Sequence, residues 1–240
     1  MNRPDGRSPT GRRPLKITPR YLDYAEGSAL VELGRTRVLV AVSLTPGVPR
    51  HMQGKRSGWL MAEYNLLPRS TESRTQRERF KLGGRTQEVQ RFLGRAFRAA
   101  VDLDLLPNQT IVVDADVIQA DGGTRVAAIL GGYAALVQAF DALVRAGRLD
   151  DWPLTEFAAI SLGWAGGDEV LVDLDAREDD RVHADLTVVG TAEGELIEIH
   201  GGGEGRPVPR AIYDRMVDEG LRQIPGLVAE VHKQLAEGVS

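Results

Sequence analysis

The chain has 240 residues and a mass of 26.2 kDa; 42% of the residues are hydrophobic and 27% charged, a balance that supplies a substantial core and excludes wholesale disorder. It contains no cysteine, so disulfides, thiolate zinc sites and cysteine nucleophiles are excluded. No apolar run approaches the roughly 20 residues of a membrane span, and the Arg- and Pro-rich start lacks the apolar segment of a secretory signal, so no membrane association is expected and the cytoplasm is the expected location.

The formal net charge of −4 is unevenly distributed. Residues 1–100 carry 20 Lys and Arg against 8 Asp and Glu, a net of +12, whereas residues 101–240 carry 10 against 26, a net of −16. Such segregation suits an electropositive surface for a polyanion, with acidic groups elsewhere for metal or subunit contacts. The alternative is that the two halves interleave in space and cancel. The four histidines, His51, His183, His200 and His232, lack metal-ligand spacing and read as surface or hydrogen-bonded groups.

Residues 1–20, with Pro4, Pro9, Pro14 and Pro19 among basic side chains, predict an extended arm. Apolar alternation from Ser28 to Leu44, broken at Gly34, predicts a hairpin, and residues 58–67 a further strand. Pro68–Arg79 is polar and reads as a loop. Val89, Phe92, Leu93, Ala96, Phe97 and Ala100 then recur at helical spacing, with Arg91, Arg95 and Arg98 between them. Asn108–Ala120 predicts a strand; Asp121-Gly122-Gly123 punctuates the chain before an apolar helix from about Thr124 to Ala146. Gly131 and Gly132 inside that helix each cost about 1 kcal/mol relative to Ala, which predicts close packing of their face on another element. Strands follow at 157–163, 169–174, 182–190 and 195–200, then two helices at about 208–222 and 226–237. This order predicts one mixed α+β domain, residues 1–240, with helices packed on sheet.

Four clusters carry candidate chemistry. Gly122 and Gly123 permit close approach of the backbone to a ligand; the free N–H groups of the helix start, the Thr124 hydroxyl and the Arg125 guanidinium then suit a phosphate, although a plain Gly turn with Asp121 or Thr124 as N-cap reads equally well. The order of residues is not that of a Walker P-loop. Gly84-Arg85-Thr86 opens the basic helix; if the two helix starts converge, Arg85 and Arg125 can clamp one tetrahedral anion. The acidic stretch Asp173, Asp175, Glu178, Asp179, Asp180 and Asp185 suits Mg²⁺ or general acid chemistry, or is a solvated loop. The run Arg69, Arg74, Arg77, Arg79 and Lys81 is either solvated or tracks a phosphate backbone.

The segments GWLMAEYNLLPRSTESRTQRE, GRTQEVQRFLGRAFRAAVDL and DADVIQADGGTR, in this order and spacing, resemble the bacterial ribonuclease PH family. The N-terminal RPDGR and RRPLKI, the hairpin EGSALVELGRTRVLVAVSL and the acidic DLDAREDDRVHADLTVV extend the likeness over roughly residues 3–200. The resemblance implies a ribosomal protein S5 domain 2-like fold, a homohexamer built as a trimer of dimers, and phosphate-dependent, reversible 3′–5′ trimming of tRNA precursor 3′ ends. It implies inorganic phosphate as co-substrate, held by Arg85, Gly123, Thr124 and Arg125. Asp179 and Asp185 fall on the pair assigned to acid catalysis and to Mg²⁺ or Mn²⁺; Arg69, Arg74 and Arg77 fall on the RNA-facing, subunit-contacting loop.

Three departures stand near this chemistry. Asp185-Leu186-Thr187 replaces the family's Asp-Met-Asn, so any metal contact of the Asn passes to the Thr187 hydroxyl or to water. Asp180 stands where Ser is common, and the segment from His200 onward, with GGGEGRPVP, matches loosely. Two other readings are a small-molecule kinase on a related fold, which predicts ATP dependence, and a non-catalytic RNA-binding ring subunit of exosome type, which predicts loss of Arg85, Arg125 or the acids, all of which this chain retains.

Overall fold

The alternating Val, Leu and Ala residues of the predicted hairpin form β2 (Gly27–Leu33) and β3 (Thr36–Pro46), joined through Gly34 at φ 57°. The computed structural model describes residues 3–78, 80–204 and 206–238. Arg79 of the arginine run, Gly205 of the Gly-rich segment, residues 1–2 of the arm and residues 239–240 lie outside the described residues.

Within the arm, β1 (Leu15–Pro19) adds antiparallel to β2. β3 pairs antiparallel with β5 (Gln109–Gln119), and β5 pairs in parallel with β4 (Trp59–Leu66), giving a five-stranded sheet of order β1-β2-β3-β5-β4. Alternate residues Val38, Val40 and Val42 of β3 and Ile111, Val113, Ala115 and Val117 of β5 are buried, as the period of two requires when one face meets a core. That face is covered by α1 (Gly84–Ala100) and α2 (Thr124–Arg145).

A second antiparallel sheet has the order β7-β6-β8-β9, from β6 (Phe157–Trp164), β7 (Leu171–Val172), β8 (Ala184–Thr191) and β9 (Leu196–Gly203). β6 packs against both α2 and α4 (Arg210–Glu237), which explains why it reads as a continuous apolar run. The two sheets share one continuous core. At its centre the Phe157 ring meets Phe97 of α1 at 6.0 Å and Tyr133 of α2 at 5.1 Å, both edge to face.

The expected close packing at the helix glycines is present. A Cβ on Gly132 would stand 2.2 Å from the Phe97 ring, and one on Gly131 would stand 2.6 Å from Val40. α2 also corrects the expectation about membrane-length runs. Its 22 residues contain an 18-residue window of mean hydropathy 1.6, enough in length and composition for a span, yet 78% of that window is buried between the sheets, so the apolarity is explained by a core position.

Two element boundaries differ from expectation. The predicted strand over 169–174 is only β7, because Asp173 turns into the left-handed region at φ 59° and the chain enters the short α3 (Ala176–Asp179). The two predicted C-terminal helices are one. Pro225 removes a backbone donor, but Met216, Ile224, Leu227, Val228 and Val231 are buried along the same helix, and that packing carries α4 through the proline. The arm is extended as expected, ending in β1, and two of its arginines, Arg3 and Arg13, are buried.

Candidate active site

The turn between β5 and α2 is shaped by two left-handed glycines. Gly122 has φ 75°, and a Cβ there would meet the Asp175 carbonyl carbon at 2.6 Å and the Ala176 nitrogen at 2.7 Å. Only a glycine lets this turn abut the start of α3, and the approach brings residues 121–125 beside residues 179–185. Gly123, at φ 70°, is the N-cap of α2, with no side-chain cap bond. Neither Asp121 nor Thr124 acts as the cap. Instead the Tyr64 hydroxyl, buried in β4, donates to Thr124 Oγ1 at 2.9 Å.

The back of this turn is closed by arginines of the arm. Arg13 Nη1 donates to the Asp121 carbonyl at 2.7 Å, while its Nη2 and Nε bind Asp173 Oδ1 at 2.6 Å and Oδ2 at 3.0 Å. The Thr36 hydroxyl donates to the Gly122 carbonyl at 2.6 Å and accepts from the Asp121 amide at 2.9 Å. Arg3 forms a two-point pair with Glu178, Nε to Oε1 at 2.6 Å and Nη2 to Oε2 at 2.8 Å, and both side chains are buried. Arg7 bridges Asp173 and Glu178. Asp175 caps α3 in a reciprocal capping box with Glu178. The acidic stretch therefore divides: Asp173, Asp175 and Glu178 are structural, and the alternative of interleaved, cancelling charge holds for this part of the chain.

The front of the turn is open. Arg85, Gly123, Thr124, Arg125, Asp179 and Asp185, drawn from three separate stretches of sequence, line one cavity of about 230 Å³. Asp180 and Thr187, where the sequence departs from the family pattern, line it too, as does Thr71 of the arginine loop. Arg85 comes from the first turn of α1 and Arg125 from the first turn of α2, so two helix starts present free N–H groups and a cation each to the same space. Arg125 Nη2 also donates to Glu88 Oε1 at 2.9 Å.

Asp179 is held above the usual carboxylate range. Burial away from water is the largest cause, followed by the negative charges of Asp185 and Asp180, while Arg125 and Arg85 pull the other way. Among the described residues no three His, Asp or Glu side chains form a ready-made metal cage. Two aspartates beside an anion pocket nevertheless fit a hard cation that keeps waters and substrate oxygens among its ligands, as Mg²⁺ does. The repulsion of Asp179 by Asp185 and Asp180 is what such a cation would offset.

Arg69, Arg74 and Arg77 are exposed on the segment between β4 and α1, make no salt bridge among the described residues, and stay outside the cavity. The α1 end of that segment is tied to the helix by Thr86 Oγ1, which donates to Glu78 Oε1 at 3.1 Å. The roles of Arg3, Arg13 and Tyr64 have no signature in local spacing. The capping box did have one, in Asp175-x-x-Glu178.

Comparison with known proteins gives concordant results. The model of the 3′ exoribonuclease family, domain 1, matches residues 11–140, and that of domain 2 matches residues 155–223. Ribonuclease PH of Moorella thermoacetica is 46% identical over 238 residues, covering 98% of this chain and 94% of the relative. Ribonuclease PH of Saccharopolyspora erythraea is 49% identical over 225 residues, covering 92% and 89%. Among solved structures, Rrp46 of rice (Oryza sativa) superposes with a TM-score of 0.77 at 24% identity, over 99% of this chain and 100% of that one, a likeness of fold. The Archaeoglobus fulgidus exosome with RNA bound to the active site superposes with a TM-score of 0.76 at 25% identity, over 92% and 89%.

Proposed function

The chain belongs to the 3′ exoribonuclease family, and on that premise we infer that it is a phosphate-dependent 3′–5′ exoribonuclease that trims tRNA precursor 3′ ends and releases nucleoside diphosphates. The observation that carries this reading is the convergence of Arg85 and Arg125, with Thr124 and Gly123 between them, on one cavity that Asp179 and Asp185 also line. Two guanidinium groups and two helix starts suit a free tetrahedral anion better than a neutral ligand.

Inorganic phosphate is held by Arg85, Arg125, the Thr124 hydroxyl and the amides at the start of α2, next to the last phosphodiester of the RNA. Holding both reactants in line supplies much of the rate, because the encounter is already paid for in binding. A phosphate oxygen attacks the phosphorus, the bond to the departing 3′ oxygen breaks, and one carboxyl of the Asp179 and Asp185 pair, or a water held there, supplies the proton to that oxygen. Mg²⁺ or Mn²⁺ held by Asp179 and Asp185 would supply positive charge opposite the crowded phosphate oxygens. The diphosphate product retains much of the bond energy, so the reaction runs in both directions. The exposed Arg69, Arg74 and Arg77 hold the RNA strand through its phosphates. The chain folds as one domain and works in the cytoplasm as a homohexameric ring, a trimer of dimers.

The test is digestion of a body-labelled single-stranded RNA by purified protein, with and without inorganic phosphate. Phosphate-dependent shortening with nucleoside diphosphates as product is expected. Monophosphates released by water alone, or an ATP requirement with intact RNA, would refute the reading.

A further inference from the structure

Behind Arg125 lies a polar contact that the reaction described above does not use. Glu88 stands on α1 one turn beyond Arg85, and its Oε1 accepts from Arg125 Nη2 at 2.9 Å. The same oxygen lies 2.8 Å from Nε2 of His200 on β9. An ionised carboxylate only accepts, so Nε2 of His200 carries the hydrogen. The imidazole also meets the buried Phe92 ring in an edge-to-face arrangement, 5.6 Å between centroids. Farther along the same helix face Arg95 Nε donates to Glu198 Oε2 at 2.7 Å, so α1 and β9 are joined at two points. Neither Glu88 nor His200 lines the cavity, whereas Arg125 does.

A guanidinium has five donors in a rigid plane, so fixing one edge determines where the others aim. We propose that Glu88 and His200 are positioning residues for Arg125: Glu88 holds one edge of the guanidinium, His200 holds Glu88, and together they set the affinity of the cavity for a tetrahedral oxyanion such as inorganic phosphate. This rests on the reading of the cavity as the phosphate site. The opposing effect is repulsion between the Glu88 carboxylate and the anion. Glu88 is about half exposed outside the cavity, where water and salt screen that repulsion, while the loss of orientation acts in full.

The experiment is to measure KM for inorganic phosphate and KM for RNA separately in the wild type, Glu88→Ala, Glu88→Gln, His200→Ala, His200→Gln and the double Ala variant. Glu88→Ala raises the phosphate KM roughly tenfold, the factor a hydrogen bond to a charged group is worth, and leaves the RNA KM within about twofold. Glu88→Gln, which keeps the shape and loses the charge, gives a smaller rise of the same sign. His200→Ala gives about threefold and His200→Gln, which retains an N–H donor, recovers most of it; the double variant is no worse than Glu88→Ala, because His200 acts through Glu88. A phosphate KM that is unchanged or lower in both Glu88 variants overturns the proposal, and so does a double variant whose effects multiply. A wild type indifferent to phosphate removes the underlying reading as well, and is told apart by that control alone.

Discussion

The turn at residues 121–125 has arginine and aspartate on both sides, arranged to opposite ends. At its back, Arg3 and Arg13 are buried and matched to Glu178 and Asp173, with the remaining donors on backbone carbonyls. At its front, Arg85 and Arg125 reach a cavity in which Asp179 and Asp185 stand, without a salt bridge between these arginines and those aspartates. A guanidinium whose donors are filled by the protein is a structural tie; one with donors directed into a polar cavity is available to a ligand. Residue type does not separate the two cases, but saturation does.

Removing a tie at the back gives the largest expected effect. Arg13→Ala leaves Asp173 buried without its main partner, which costs about 3–5 kcal/mol of stability, measured by urea unfolding. A loss below about 1 kcal/mol would erase the distinction between back and front. At the front the comparison predicts the reverse pattern. Arg125→Ala lowers phosphorolysis roughly 100- to 1000-fold, the size of losing one oriented donor to the transition state, with the unfolding midpoint little changed. Wild-type turnover in that variant would take Arg125 out of the site.

The smallest effect is one of pH. Burial alone pushes the Glu178 carboxyl up, but the Arg3 hydrogen bonds, the Asp175 amide and the charges of Arg3 and Arg7 outweigh it and hold the pKa below its ordinary value of 4.5. The unfolded chain thus binds this proton first as pH falls. The stabilisation is whole above 4.5 and is lost as pH drops through the folded-state value. Stability measured from pH 7 down to pH 3 should fall more steeply in the wild type than in Glu178→Gln; parallel curves would mean that Glu178 is not held by these arginines.

The same comparison shows what the sequence discloses. The glycine turn, both helix starts and most strands were legible because they follow from local chemistry: left-handed glycines, free amides, periods of 2 and 3.6. The division of the acidic stretch was not, because Asp173 and Glu178 are assigned by arginines about 160 to 175 residues away. α4 was misread for a similar reason. Pro225 is a local stop signal, and the buried face that overrides it depends on a sheet formed elsewhere in the chain. The likeness to a known family singled out Asp179 and Asp185 from the acidic stretch, and both line the cavity; it did not disclose that Asp173 and Glu178 are tied to arginines of the arm.

One small contact near the end of α4 has a consequence for how the chain folds. The Gln234 side chain accepts from the Ile17 amide at 2.5 Å and donates to the Leu15 carbonyl at 3.0 Å, so a single amide occupies the outer rim of β1 as a neighbouring strand would. Those partners are 217 and 219 positions apart. During synthesis the rim stays bare until almost all of this sequence has left the ribosome, which leaves a nascent chain open to pairing with other nascent chains.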